Sequence, residues 1–128
     1  MNIRNMDAPV TTGLYVGGEI RTASDGGTYD LFNPARPAEL VGHAASASVH
    51  DVDDAVHAAH AAYPAWAATS YDERAALLNE IADVLVADQD DVNARARLFC
   101  REHGKVIKEC MLEMTRLGDR FRLTAGYA

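Results

Sequence analysis

The segment from Ser48 to Trp66 constrains this 128-residue chain more than any other stretch. Ser48 followed by Asp51 is typical of a capping box at the start of a helix. Apolar residues then recur at steps of three and four, which predicts a helix with one apolar face. These residues are Val52, Ala55, Val56, Ala59 and Tyr63. Pro64 is predicted to end the helix and Trp66 to anchor its exit. This apolar face of the helix is expected to pack against another part of the protein or against a partner.

The residues before this helix predict strands. Residues 14–21 alternate around Gly17-Gly18, a pattern typical of a β-hairpin with a tight turn. Residues 28–32 and 39–44 are rich enough in β-branched and apolar side chains for two further strands. Residues 1–12 show no periodicity, and we expect a flexible tail there.

The residues after Trp66 predict three more helices. Ser70 with Glu73 forms a second capping box, Asp88 is predicted to open a third helix, and Gly104 is placed to end it. Apolar residues from Ile107 to Ala125 predict one last and longest helix. The fold class is therefore α/β, with an N-terminal β-hairpin and strand region followed by about four helices.

Composition excludes several classes of function. The net charge of -7, with basic residues scattered among acids, argues against nucleic-acid binding. No apolar run is long enough to span a membrane. Cys100 and Cys110 lie in helical patterns without a Cys-x-x-Cys spacing, so we expect reduced, structural thiols and a cytoplasmic location.

Six segments, in this order, resemble the NAD(P)-dependent aldehyde dehydrogenase superfamily. They are the hairpin Leu-Tyr-Val-Gly-Gly-Glu, Asn33-Pro34-Ala35, the Ser48–Trp66 helix, the start of the second helix from Ser70 to Leu78, Glu102-His103-Gly104-Lys105, and Ala125-Gly126. The resemblance implies that residues 13–128 are the N-terminal portion of an aldehyde-dehydrogenase-like cofactor-binding domain. Phe99 and Val106 depart from residues common in the family, where Glu and Pro are usual.

The resemblance also implies a reaction: NAD- or NADP-dependent oxidation of a small-molecule aldehyde to a carboxylic acid. The family's cysteine in a Gly-Gln-x-Cys setting, its glutamate in a Glu-Leu-Gly-Gly setting and its dinucleotide-binding turn do not occur in this sequence. We therefore predict no catalytic and no cofactor-binding residues here, and no activity or bound cofactor for this chain alone. The alternative is a noncatalytic binding or oligomerisation module that self-associates or pairs with full-length family members.

Three candidate binding sites stay open. The resemblance implies a monovalent cation held by the backbone at Phe32 and by Glu102, although Glu102 also fits an ordinary acid at a helix end. A group on one helix could bind a metal or form a solvated face. Its members are Asp53, Asp54, His57 and His60. Lys105 could contact phosphate, but it has no glycine-rich loop around it.

Overall fold

A computed structural model describes residues 8–127. Five strands precede five helices, which confirms the predicted class and order of elements. The strands are β1 (Val10–Thr12), β2 (Leu14–Val16), β3 (Glu19–Arg21), β4 (Thr28–Asn33) and β5 (Arg36–Ala45). The helices are α1 (Val49–Ala67), α2 (Tyr71–Val86), α3 (Gln89–His103), α4 (Ile107–Thr115) and α5 (Leu117–Ala125).

The strands form two small sheets. Strand β5 lies in the middle of the first, parallel to β1 and antiparallel to β4. Strands β2 and β3 form the predicted hairpin, in which Gly17 and Gly18 have the positive φ angles of 62° and 90° that the tight turn requires. Residues 10–12, which the sequence analysis placed in the flexible tail, form β1, while residues 1–7 of that predicted tail lie outside the described residues.

The helices start where the sequence predicts. Both capping boxes are present, since the Ser48 and Ser70 hydroxyls accept from the backbone N–H groups of Asp51 and Glu73. The Asp88 carboxylate accepts from two backbone N–H groups at the start of α3. These caps confirm three helix starts.

Helix α1 does not end at Pro64. It continues to Ala67, so the prediction that Pro64 ends it is wrong. Proline removes only one helical N–H donor, and the Ala68 N–H donates to the Pro64 carbonyl oxygen at 3.2 Å, which restores the pattern one turn later. The Arg74 guanidinium then donates to the carbonyl oxygens of Trp66 and Ala67, and it lies 5.2 Å from the centre of the Trp66 ring.

The predicted last helix is divided into two. The backbone turns at Arg116, where α4 ends and α5 begins. Helix α4 packs on α3, whereas α5 packs on α2. A Cβ atom at Gly118 would lie 3.1 Å from the Ala82 carbonyl oxygen, so glycine allows α5 to approach α2 closely. One straight helix could not make both contacts, and the prediction of a single helix is wrong.

Two groups of buried apolar side chains form the core, one between the sheet, α3 and α4, and one in the α2–α5 contact. Val41, Val92, Ala96 and Cys110 belong to the first group, and Ala82 and Ala125 to the second. Helix α3 contacts β4 and β5, which brings residues near Asn33 beside the end of α3. Among residues 8–127, no helix is both long and apolar enough to cross a membrane.

Candidate functional site

The start of α1 holds a buried acid, Asp51, whose pKa is strongly lowered. Asp51 is 1% exposed, and its carboxylate accepts hydrogen bonds from the backbone and hydroxyl groups of Ser48 and Ser24. These hydrogen bonds lower the pKa of Asp51 from 3.8 to about 2, and the bond from the Ser48 backbone N–H has the largest effect. Arg21 adds a contact to Asp51 at 3.3 Å and one to Asp54 at 2.8 Å. The cluster fixes the start of α1 against β3 and the β3–β4 connection, because Asp51 bonds to Arg21 of β3 and to Ser24 as well as to its own N-cap.

The two cysteines lie where α3 and α4 meet. The Cys100 thiol donates to the Lys105 carbonyl oxygen at 3.0 Å, and Cys110 is fully buried. Burial raises the pKa of the Cys110 thiol, which disfavours the thiolate needed for attack on a carbonyl carbon. Both thiols are free, and each is engaged in helix packing.

Of the two predicted cation residues, Phe32 lies in β4 and Glu102 in α3, and these two elements pack against each other. Glu102, in the last turn of α3, lines a cavity of about 200 Å³ together with Leu31, the residue before Phe32. The β4–β5 register shifts on both sides of Phe32. Such irregularities leave backbone groups out of the regular ladder. Phe32 itself does not line this cavity, and its side chain is half exposed.

The acidic and histidine group on α1 is not gathered around one point. Asp54 faces Arg21 at 2.8 Å and His50 at 3.4 Å. No cluster of three potential metal-ligating side chains occurs within residues 8–127. His57 and His60 are exposed, as in the solvated-face interpretation.

The side chain of Lys105 contacts other side chains of this chain. Its ammonium forms an ion pair with Glu113 and lies 5.6 Å from the centre of the Phe99 ring. The Glu113 hydrogen bond raises the pKa of Lys105. Two of the positions that depart from the family pattern, Phe99 and Val106, therefore lie next to a lysine with an intramolecular partner.

Dinucleotide phosphates bind where backbone N–H groups at a helix start are open to an anion. Gly17-Gly18 joins two strands, and Gly26-Gly27 precedes β4. The first turns of α1, α2 and α3 already hold carboxylates, and these belong to Asp51, Glu73 and Asp88. The glycine turns and these helix starts do not fit a pyrophosphate.

One pocket was missed by the sequence analysis. It has a volume of about 500 Å³ and lies between β5, α3 and the start of α4. Three arginines, Arg36, Arg97 and Arg101, line it together with Glu39. Arg97 and Arg101 are four residues apart, so they share one helix face, and this spacing was the available signal. Arg36 joins them only through the tertiary fold.

The sequence profile of the aldehyde dehydrogenase family matches residues 21–128. This chain belongs to the aldehyde dehydrogenase family. Solved structures of the family superimpose on the fold described above. The NAD-dependent aldehyde dehydrogenase of Sinorhizobium meliloti is 30% identical, with a TM-score of 0.86 over 94% of this chain and 24% of its own length.

Two further structures agree with the assignment. The aldehyde dehydrogenase of Brucella melitensis biovar abortus is 29% identical, with a TM-score of 0.78, over 90% of this chain and 23% of its own. PnpE, solved in complex with nicotinamide adenine dinucleotide, is 34% identical. Its TM-score is 0.79, over 90% of this chain and 23% of its own. The chain thus spans about a quarter of the length of these aldehyde dehydrogenases, and the predicted resemblance is confirmed.

Proposed function

We propose that this chain supplies N-terminal framework to an NAD(P)-linked aldehyde dehydrogenase and has no dehydrogenase activity alone. The reaction of the whole protein would be oxidation of a small-molecule aldehyde to a carboxylic acid, with NAD or NADP accepting the hydride. The matched family and the NAD complex of PnpE support the reaction type and the cofactor.

The state of the two thiols carries the proposal. A catalytic cysteine must be exposed, readily ionised and close to a base. Cys110 is fully buried with a raised pKa, and the Cys100 thiol donates to a backbone carbonyl oxygen. Two free thiols also agree with the proposed reducing, cytoplasmic location.

The test is turnover by the purified, homogeneous chain. Incubation with NAD or NADP and a panel of aliphatic and aromatic aldehydes should produce no absorbance from reduced cofactor. A family enzyme assayed in parallel provides the positive control. Turnover that disappears in a Cys100→Ser variant but persists in Cys110→Ser would assign catalysis to Cys100 and overturn the proposal.

A second candidate, a noncatalytic pairing module, is favoured by the surface of α1. Its predicted apolar face is exposed in this chain, with Val56 62% and Tyr63 65% exposed. An apolar helix face in water favours association with another apolar surface. Pairing would place this face against a second copy or a full-length family member.

Light scattering with a matched pair of variants tests the pairing candidate. Val56→Glu should lower the apparent mass if α1 forms the contact, whereas Val84→Glu, at an exposed valine of α2, should leave it unchanged. A monomeric wild-type chain that also fails to bind a full-length family protein would contradict this candidate.

The monovalent-cation site at Phe32 and Glu102 is a separate proposal. The register shifts around Phe32 and the shared position of Leu31 and Glu102 on one cavity support it. Replacing tetramethylammonium by potassium at constant ionic strength should raise the melting temperature of the wild type but not of Glu102→Gln. An equal response of both proteins would contradict the site.

A further inference from the structure

The pocket between β5, α3 and α4 has an excess of positive charge. Its volume is about 500 Å³, within the range of pockets that bind small molecules. The lining residues are Arg36, Glu39, Leu40, Arg97, Cys100, Arg101 and Ile107. Three arginines and one glutamate line the pocket, although the whole chain carries a net charge of -7. The local charge is therefore opposite to that of the chain.

The single carboxylate in this arginine pocket is satisfied by protein groups. Glu39 accepts from Arg101 Nε at 2.6 Å and from Asn33 Nδ2 at 3.0 Å. The Arg101 hydrogen bond is the main reason why the pKa of Glu39 lies below its ordinary value. Glu39 and Arg101 therefore balance each other at neutral pH.

The other two arginines retain donors for a ligand. Arg36 is largely exposed, and its only ion pair among the described residues is a long one, 3.5 Å from Glu39. Within residues 8–127, Arg97 forms no ion pair, and it is exposed on α3. Each guanidinium presents five N–H donors in a plane that matches the oxygens of a carboxylate or phosphate. The two guanidinium groups of Arg36 and Arg97 can therefore pair with the two negative charges of a dianionic ligand.

The remaining lining is apolar. Leu40 and Ile107 contribute hydrocarbon, and the Cys100 thiol hydrogen is directed to the Lys105 carbonyl oxygen. A free inorganic anion would leave this surface without a partner. A ligand with a charged end and a small apolar body would contact both parts of the pocket.

We propose that the arginine pocket binds a small organic dianion, a phosphate monoester or a dicarboxylate with a short apolar part. Arg97 and Arg36 bind the anionic group, and Leu40 and Ile107 contact the apolar body. The Glu39–Arg101 pair holds the floor of the pocket in place. This site is a separate proposal from the dehydrogenase framework role, because its anion-binding groups, Arg36 and Arg97, take no part in the argument for that role.

Calorimetric titration of the full chain with phenyl phosphate tests the site. We expect saturable one-to-one binding that weakens as sodium chloride is added, because salt screens the arginine charges. Titration with phthalate distinguishes a dicarboxylate ligand from a phosphate ligand. Neutral benzyl alcohol should bind at least tenfold more weakly than the better dianion. Equal binding of the neutral and charged probes would overturn the proposal.

Matched arginine variants locate the binding. Arg97→Ala and Arg36→Ala should each weaken binding of the better dianion about tenfold or more, as expected for loss of a charge-assisted contact. Arg120→Ala removes the same charge from an exposed position on α5 and should bind like the wild type. Circular dichroism checks that all three variants are folded. Equal affinity of Arg97→Ala and Arg120→Ala, or no saturable binding by the wild type, would refute the site.

Discussion

Helices α1 and α3 are both amphipathic, but they bury different kinds of residue. Helix α3 covers its apolar face with the sheet and α4, and Val92 and Ala96 are 2% and 0% exposed. The one buried residue of α1 is Asp51, while its apolar residues Val56 and Tyr63 remain exposed. Helix α3 is thus held by apolar packing, and α1 by polar bonds at its first turn.

This difference shows what an apolar periodicity predicts. The periodicity indicates which face of a helix prefers to be buried, but it does not specify the surface that covers that face. In α3 the covering elements belong to this chain. In α1, Val56 and Tyr63 stay exposed although β2 lies beside the helix, and the Arg21, Ser24, Ser48 and Asp51 cluster fixes its first turn.

The largest expected effect compares one valine in each helix. Val92→Ala removes two methyl groups from a buried site of α3 and should lower the free energy of unfolding by about 2–3 kcal/mol. Val56→Ala on α1 should cost less than about 0.5 kcal/mol, because this side chain is already largely in water. Urea unfolding of both variants measures the difference, and equal losses would mean that α1 is covered in solution.

The second effect concerns the C-terminal end of α3, where Gly104 lies against Pro34. Gly104 has a φ of 68°, and a Cβ there would lie 2.8 Å from Pro34 Cγ. Gly104→Ala should therefore cost about 1–2 kcal/mol of stability. Gly26→Ala, at a φ of 74° with open space around it, measures the backbone strain alone. If both variants lose the same stability, the contact between α3 and the Pro34 turn is not tight.

The third effect compares the two serine caps. Among the described residues, the Ser70 hydroxyl bonds only to Glu73, within its own capping box, so Ser70→Ala should cost about 1 kcal/mol. The Ser48 hydroxyl also lies 2.8 Å from the Ser24 hydroxyl, so Ser48→Ala should cost more, about 2 kcal/mol. Thermal unfolding of the two variants tests this ranking. A larger loss for Ser70→Ala would show that the polar cluster does not hold α1.

The last effect is a pH dependence from the same cluster. Folding lowers the pKa of Asp51 from 3.8 to about 2, so the unfolded chain binds more protons between these values. The resulting stabilisation is fully present above the unfolded value and is lost as pH falls toward about 2. Urea midpoints across this range should fall less steeply for Asp51→Asn than for the wild type. Identical slopes would exclude Asp51 as the source.

Much of the fold could be predicted from local signals. Ser48, Ser70 and Asp88 mark the starts of three helices, because a cap satisfies N–H groups within three residues of itself. The Gly17-Gly18 turn is equally local. The family resemblance also came from short segments in a fixed order. By contrast, no local signal showed that Arg36 would lie beside Arg97, since β5 and α3 are far apart in the sequence.

The sequence by itself determined where most helices and strands begin, because caps and turns are made by residues a few positions apart. Only the tertiary structure decided the break at Arg116, the burial of Asp51 with Arg21, and the pairing of β1 with β5. These features depend on contacts between distant segments, whose free energy is gained only when the chain has closed the long loops between them.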